Sequence, residues 1–167
     1  THPASKNLQI GTDGTNVFAG QIDEVVVYNR ALTADEIKAH YGSFKLQIAA
    51  STTNPPTSFV GPDGTANTYF TQPAGLWHLN NTTWASADSS GSGLTTPATG
   101  APALDTTNKK LGAGAVTFST GNYLTVTDNA ALKPAKVSVA AWVRPTSAGA
   151  KAIVDKFTSP NGYILGI

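Results

Sequence analysis

The order of two segments constrains most strongly what this chain can fold into. Residues 18–42 combine a strand rich in β-branched residues with a capped helix, a pattern typical of the end of a domain. From residue 75 onward, short alternating stretches separated by turn residues are typical of the beginning of one. The chain therefore presents the end of a domain first and the beginning of a domain second.

Composition favours a turn-rich β protein. Of the 167 residues, 40% are hydrophobic and 13% are charged, and 16 Gly and 10 Pro favour many short strands. The net charge of +1 comes without the basic stripe that nucleic acid or anionic lipid requires, so we expect neither as a partner. A chain without Cys has no disulfide framework, and no apolar run approaches the ~20 residues of a membrane span. Rich in Thr, Ser, Asn and Gly, the composition favours an exported microbial surface module.

The strand pattern of the N-terminal segment indicates an interior position in a sheet. Asp13-Gly14 joins two strand-like stretches, because Gly tolerates the positive φ of a tight turn. The run Val25, Val26 and Val27 predicts burial on both faces of the next strand. The alternative is an edge strand with one spare apolar residue.

A capping box predicts one short helix over residues 34–41. The Thr33 hydroxyl can accept from the Glu36 amide, while the Glu36 carboxylate reaches back to the Thr33 amide. Leu32 can pack on Ile37, and Gly42 supplies the left-handed residue that ends a helix.

Residues 43–74 are predicted to form an ordered β connector. Two alternating stretches surround the Pro62-Asp63-Gly64 turn. Their apolar residues require burial, which favours order over a flexible linker: Phe44, Leu46, Ile48, Phe59, Val60, Tyr69 and Phe70.

Residues 75–167 are predicted to be strands throughout. Residues 85–109 form a low-complexity loop, and a hairpin is expected to turn at Gly121. In the stretch 136–145, alternation places four small apolar residues on one face and Trp142 on the other. Because Trp77 and Trp142 lie in apolar strands, we expect both in the core. A turn at 160–162 separates the last two strands.

Several motifs together resemble one family. GQIDEVVVYNRALTADEIKAHYG, at 20–42, resembles the closing strand and helix of laminin-G-like, concanavalin A-like jelly rolls. GLWHLNNTTWASADSSGSG, AVTFSTGNYLTV and VSVAAWVRP are similar, in that order, to the opening half of the same domain type. The resemblance implies an all-β antiparallel sandwich with one short helix. It divides the chain into closing strands and helix (1–42), an ordered connector (43–74) and opening strands (75–167).

The chain departs from this family by lacking its middle strands. A Trp-His pair and a strand ending in Asp-Gly normally separate the opening and closing halves, and here Trp77-His78 belongs to the opening strand. Three arrangements fit this order. They are a window cut from tandem repeats, a subunit completed by its neighbour in a filament, and a permuted single domain. The first two predict that something outside the chain finishes the fold.

The residue types that catalysis requires are spread along the sequence and form no recognisable motif. Of the histidines, His2 lies in a terminus, His40 at a helix end and His78 in an apolar strand, with no nucleophile motif beside them. A glycosidase pair depends on the separation of two carboxylates, which no sequence specifies. The candidates are Asp23, Glu24, Asp35, Glu36, Asp88, Asp105, Asp128 and Asp155. We predict that the chain is not an enzyme.

The family resemblance implies a structural Ca²⁺ site. Asp23 and Asp88 match two of the family's Ca²⁺-binding positions, while Asn80 and Asn81 stand where the family commonly has Asp-Glu. Amides bind Ca²⁺ less well than carboxylates, so this site is expected to be weakened. The alternative is that Asp88 caps the following turn and Asp23 bonds a loop amide. Trp84, in a polar loop, is the candidate ligand-binding residue, because exposed aromatic faces stack on sugars.

Two functions compete. One is a structural, adhesive or filament-assembly role in an extracellular microbial surface protein, with copies of the chain or adjacent domains as partners by strand complementation. The alternative is a carbohydrate-binding, lectin-like module of a secreted protein, with glycans as ligands.

Overall fold

The protein is an antiparallel β-sandwich of two five-stranded sheets, which confirms the all-β prediction. The computed structural model describes residues 6–38, 41, 59–60, 66–67, 73–81 and 88–167. Its strands in chain order are β1 (Leu8–Ile10), β2 (Gly20–Tyr28), β3 (Phe59–Val60), β4 (Ala66–Asn67), β5 (Gly75–Trp77), β6 (Ala98–Thr99), β7 (Ala103–Asp105), β8 (Ala115–Phe118), β9 (Tyr123–Val126), β10 (Ser138–Pro145), β11 (Ala152–Asp155) and β12 (Ile164–Gly166).

The two sheets have matching strand orders. The first sheet runs β12-β11-β1-β9-β6, and the second runs β10-β2-β8-β7 with β5 also paired to β2. β3 and β4 pair with each other in a separate two-stranded sheet. All pairings between the named strands are antiparallel.

The N-terminal segment supplies a central strand to each sheet. β1 lies between β11 and β9, and β2 lies between β10 on one side and β8 and β5 on the other. Residues 6–38, 73–81 and 88–167 therefore contribute strands to one sandwich within the chain. Which of the three arrangements applies stays a prediction. The predicted segment boundaries after residues 42 and 74 stay a prediction.

β2 is buried along its whole length, as its Val run predicts. Val25 and Val27 face the core between the sheets, and Val26 is covered on the outer face. A bulge between these residues and Asp23 shifts the register against β10, and Glu24 takes a φ of 52° there. Such a bulge changes the alternation, so Ile22 and Val25, three residues apart, both face inward.

The core contains one of the two tryptophans predicted for it. Trp77 is fully buried, and its indole N–H donates to the Thr96 hydroxyl at 2.8 Å. Trp142 is only partly buried and lies on the outer face of β10, so its prediction as a core residue is wrong. The Lys110 ammonium lies 4.3 Å from its ring centroid, a distance suited to a cation–π contact. The predicted alternation of side chains along β10 is confirmed: Val139, Ala141 and Val143 point toward the core, on the face opposite to Trp142.

The capping box forms as predicted at the start of the helix. Residues 34–38 are helical and so is Tyr41, while the residues between and after them lie outside the described part of the chain. The Thr33 amide donates to Glu36 Oε2 at 2.8 Å, and the Glu36 amide donates to Thr33 Oγ1 at 3.3 Å. Arg30 adds an ion pair to Glu36 at 2.8 Å.

Two connections differ from the sequence prediction. The turn at Gly121 joins β8 to β9, but these strands lie in different sheets and form an arch across the sandwich rather than a hairpin. The predicted loop 85–109 contains β6 and β7 in its described part. Both are short and have little strand pattern of their own, and they are recognised as strands only by their pairing with β9 and β8. Most of the predicted connector lies outside the described residues.

A buried lysine joins distant parts of the chain. Lys156, at the end of β11, is 0% exposed. Its ammonium donates to the carbonyl oxygen of Lys6 and to Oδ1 of Asp128, the latter at 2.6 Å. Asp128 also pairs with the more exposed Lys133. The N-terminal segment is thereby fixed to the end of β11.

Candidate functional site

One side of the sandwich has a strand without a counterpart in the opposite sheet. Strands consecutive in the chain have the same rank in the two strand orders: β6 with β7, β9 with β8, β1 with β2, and β11 with β10. β12 continues the first sheet by one strand, and no described strand lies beyond β10 in the second. We call this region, formed by β10 and β12, the open side.

The inner-facing residues of the open side are incompletely buried. Val139, Ala141 and Val143 of β10 contact the core but remain partly exposed, and so do Tyr163 and Leu165 of the last strand region. Core residues of the central strands, by contrast, are almost fully covered.

The end of β12 marks the open side most clearly. Since side chains alternate along a strand, Ile167 follows Leu165 on the inner face and Ile164 lies on the outer face. Ile167 is nevertheless 54% exposed, about as much as the outward Ile164 at 52%. Among the described strands, none covers the Ile167 side chain.

The edge of β10 that faces away from β2 has no paired strand among the described residues. The Thr146 amide donates to the Ala19 carbonyl at 2.9 Å, so the next residue that points away from β2 is Pro145, followed by Val143. Pro145 has no N–H, which suits an edge position. Val143 offers both an N–H and a C=O to a further strand.

A second feature is a polar junction, formed by Asp23, Glu24 and His78. β2 changes its neighbour here, pairing with β8 up to Ile22 and with β5 from Val25. Asp23 and Glu24 occupy the gap between these two neighbours. Asp23 lies directly opposite Trp142 of β10, so its side chain is on the outer face of the sheet.

Asp23 is a buried carboxylate with one engaged oxygen. Its Oδ2 accepts from the backbone amides of Lys110 and Leu111 at 2.8 and 2.9 Å. Oδ1 is buried and has no hydrogen-bond partner among the described residues. Burial raises the pKa of Asp23 to about 7, although the two amide bonds oppose this shift.

His78 forms an ion pair with Glu24. The Nδ1–H of His78 lies 2.7 and 2.9 Å from the two carboxylate oxygens of Glu24, whose side chain is 6% exposed. Burial, the largest single cause, would lower the pKa of His78, but the hydrogen bond to Glu24 and the negative charges of Glu24 and Asp23 together outweigh it and the pKa is raised. Nε2 is buried as well. His78 and Glu24 are therefore paired with each other in this conformation.

The residues predicted to bind Ca²⁺ are engaged in other ways. Each carboxylate oxygen of Asp88 accepts two hydrogen bonds, from the amides of Leu76, Ser90 and Leu94 and the Ser90 hydroxyl, at 2.9–3.1 Å. This is the turn-capping role considered as the alternative for Asp88. Asn80 lies against the same loop as Asp23, because a Cβ at Gly112 would lie 3.1 Å from its Nδ2.

Calcium binding at Asp23, Asn80 and Asp88 stays a prediction. Ca²⁺ takes about six to eight oxygen ligands. The arrangement offers one carboxylate oxygen without a hydrogen bond, Oδ1 of Asp23, which fits poorly with that demand. Within the described ranges, no group of three or more His, Asp or Glu side chains could hold a metal ion.

The other predicted site residues lie outside the described part of the chain. These are Trp84, His2 and His40. In the described part, no helix is long and apolar enough to span a membrane.

Comparison with known proteins identifies one family over part of the chain. Residues 1–38 match a family model described as the concanavalin A-like lectin/glucanases superfamily. No curated protein and no solved structure matches the chain. The match confirms the predicted resemblance over the stretch that contains β1, β2 and the helix start. For residues 75–167 the resemblance stays a prediction.

Proposed function

We propose that this chain is a structural module of an extracellular microbial surface protein, joined to the next copy through its open side. The copy is either a separate subunit or an adjacent domain of one precursor. In this role the chain serves adhesion or filament assembly and carries out no catalysis.

The observation that supports this proposal is the unmatched strand β12. A finished sandwich covers both inner faces, whereas here the inward Leu165 stays partly exposed with no described strand opposite. Full burial of one such aliphatic side chain is worth about 1.5–3 kcal/mol. A neighbour that covers several of them gains affinity without any change in the rest of the fold.

The edge of β10 that faces away from β2, unpaired among the described residues, supplies the backbone hydrogen bonds that set the direction of the neighbouring strand. Unpaired N–H and C=O groups on an edge strand are a template for pairing with another chain. Natural sheets commonly blunt such edges with charged residues, but the inner-facing positions of β10 are Val139, Ala141 and Val143. Head-to-tail contacts of this kind produce rods or filaments when the rotation between copies does not close a ring.

Sedimentation velocity over a wide range of chain concentrations, followed by negative-stain microscopy, tests the proposal. We expect concentration-dependent association into rods or larger assemblies. A chain that stays monomeric at all concentrations would contradict it.

The family match supports one alternative, a carbohydrate-binding module. This function predicts a monomer that binds glycans on an array and loses binding in Trp84→Ala. Assemblies without glycan affinity would exclude the lectin role.

A further inference from the structure

We propose that residues 6–38 are an exchangeable segment, which inserts β1 and β2 among the C-terminal strands of a second copy of this chain. In that copy the segment takes the places that it fills in its own chain. This inference goes beyond the proposed contact through the open side, because it names a second joint between copies and the strands that form it.

The strand pairing makes the exchangeable segment a separable unit. β1 pairs with β9 and β11, and β2 pairs with β5, β8 and β10. All five partners come from residue 75 onward, so each of these pairings joins distant parts of the sequence. A second copy offers the same five strands with the same backbone groups. The segment can therefore make all of these pairings in either chain.

Both parts of the sandwich depend on the segment being in place. Its core side chains are 0% exposed, and burial of this apolar surface favours insertion into either chain. These side chains are Leu8, Ile10, Phe18, Ile22, Val25 and Val27. The C-terminal strands have a matching requirement, since β1 separates β9 from β11 and β2 separates β8 from β10.

Hydrogen bonds hold the segment near both of its ends. At its start, the carbonyl oxygen of Lys6 accepts from the buried ammonium of Lys156. Near its end, the Leu32 amide donates to the Ser138 hydroxyl at 3.0 Å. In both contacts one partner belongs to the segment and the other to the C-terminal strands or their ends, so a second copy can supply it.

The sequence between the two parts is long enough for exchange. Residues 39–72 separate the segment from the C-terminal part. About 30 residues can reach at most ~100 Å, whereas a folded chain of this size is about 40 Å across. Because linked partners typically meet at an effective concentration of order millimolar, exchange should grow as separate copies approach that concentration.

Thr117 of β8 provides a matched pair of crosslinks for the test. It lies directly opposite Gln21 of the segment on one side and Ala103 of β7 on the other. Opposite residues of antiparallel strands share a face and have Cα atoms ~4.5–5.5 Å apart, within the range of a disulfide. The chain has no Cys, so any disulfide comes from introduced residues.

The experiment mixes whole chains that carry one Cys each. Thr117→Cys is unfolded in urea with an equal amount of Gln21→Cys, and the two are refolded together at ~1 µM to ~1 mM chain and oxidised. A parallel sample combines Thr117→Cys with Ala103→Cys. The covalent heterodimer is measured on a non-reducing gel and identified by mass. Gln9→Cys with Thr125→Cys, opposite each other in β1 and β9, repeats the test in the other sheet and serves if Gln21→Cys does not fold.

We expect at least about tenfold more heterodimer with Gln21→Cys than with Ala103→Cys at the highest concentration, because exchange holds only the first pair of thiols together between chains. The yield should fall on dilution, since each segment then returns to its own chain.

The outcomes separate this inference from the proposed function. Equal heterodimer yields with Gln21→Cys and Ala103→Cys, and none above background with the β1–β9 pair, would overturn the inference. Assemblies of the unmodified chain without such heterodimers would overturn it as well, while leaving the open side as the joint between copies. Heterodimers that form only closed pairs, without larger assemblies, would support exchange and contradict the proposed rods.

Discussion

Removal of the Asp128 carboxylate should destabilise the fold far more than its partial exposure suggests. The Lys156 ammonium that it pairs with is completely buried, and its other described hydrogen-bond partner is the carbonyl oxygen of Lys6. In Asp128→Ala a charged group would remain in the interior without a counter-charge. Breaking a buried ion pair from one side typically costs about 3–5 kcal/mol.

This cost is a large part of the stability of a domain of this size, about 5–15 kcal/mol. At ~2–4 °C per kcal/mol for a chain of ~150–250 residues, the melting temperature should fall by roughly 10 °C. Urea unfolding followed by Trp fluorescence gives the free energy directly, since Trp77 is buried in the core. Asp128→Ala with Lys156→Met should recover most of the loss, because it removes the stranded charge.

Lys133→Met is the matched control. Lys133 pairs with the same carboxylate, but its side chain is 25% exposed, so its loss should cost only ~0–1 kcal/mol. If Asp128→Ala is no more destabilising than Lys133→Met, then Lys156 is not held by a buried charge pair. The same conclusion would follow if the double variant were no more stable than Asp128→Ala.

Asp23 should make the fold less stable as the pH rises. Its pKa of about 7 in the fold exceeds the ordinary 3.8, so the stabilisation is present below pH 3.8 and is lost as the pH rises through 7. Urea unfolding of Asp23→Asn should show a smaller fall of the free energy of unfolding over this pH range. A pH profile identical to that of the unmodified chain would contradict this prediction. Gly20→Ala should unfold at lower urea than Gly14→Ala: both glycines have positive φ, but a Cβ at Gly20 would lie 2.2 Å from a carbonyl oxygen of β10, while Gly14 has nothing within 4 Å. Calcium at Asp23, Asn80 and Asp88 predicts a higher melting temperature in CaCl₂ than in EDTA, and equal midpoints would remove the site.

The sequence predicts those features that depend on neighbouring residues. The capping box joins residues three apart, and the buried β2 follows from its Val run, so both could be recognised directly. The polar junction could not, because His78 meets Glu24 across 54 positions of sequence. The arch at Gly121 differs from the predicted hairpin for a related reason. A turn residue specifies that the chain reverses, but the sheet that each strand joins depends on distant partners.

The unusual segment order does not prevent β1 and β2 from pairing with strands of the C-terminal half of the same chain, and a fragment experiment tests this directly. β1 and β2 are central strands, so a chain cut to residues 73–167 would lose the link between β11 and β9 and between β10 and β8. Such a fragment should show no cooperative unfolding. A peptide of residues 6–38 added in trans should restore it, because the closure entropy of the connecting segment is only a small term. Cooperative unfolding of 73–167 alone would mean that the N-terminal segment is dispensable, and that the open side is not the main unfinished surface of this chain.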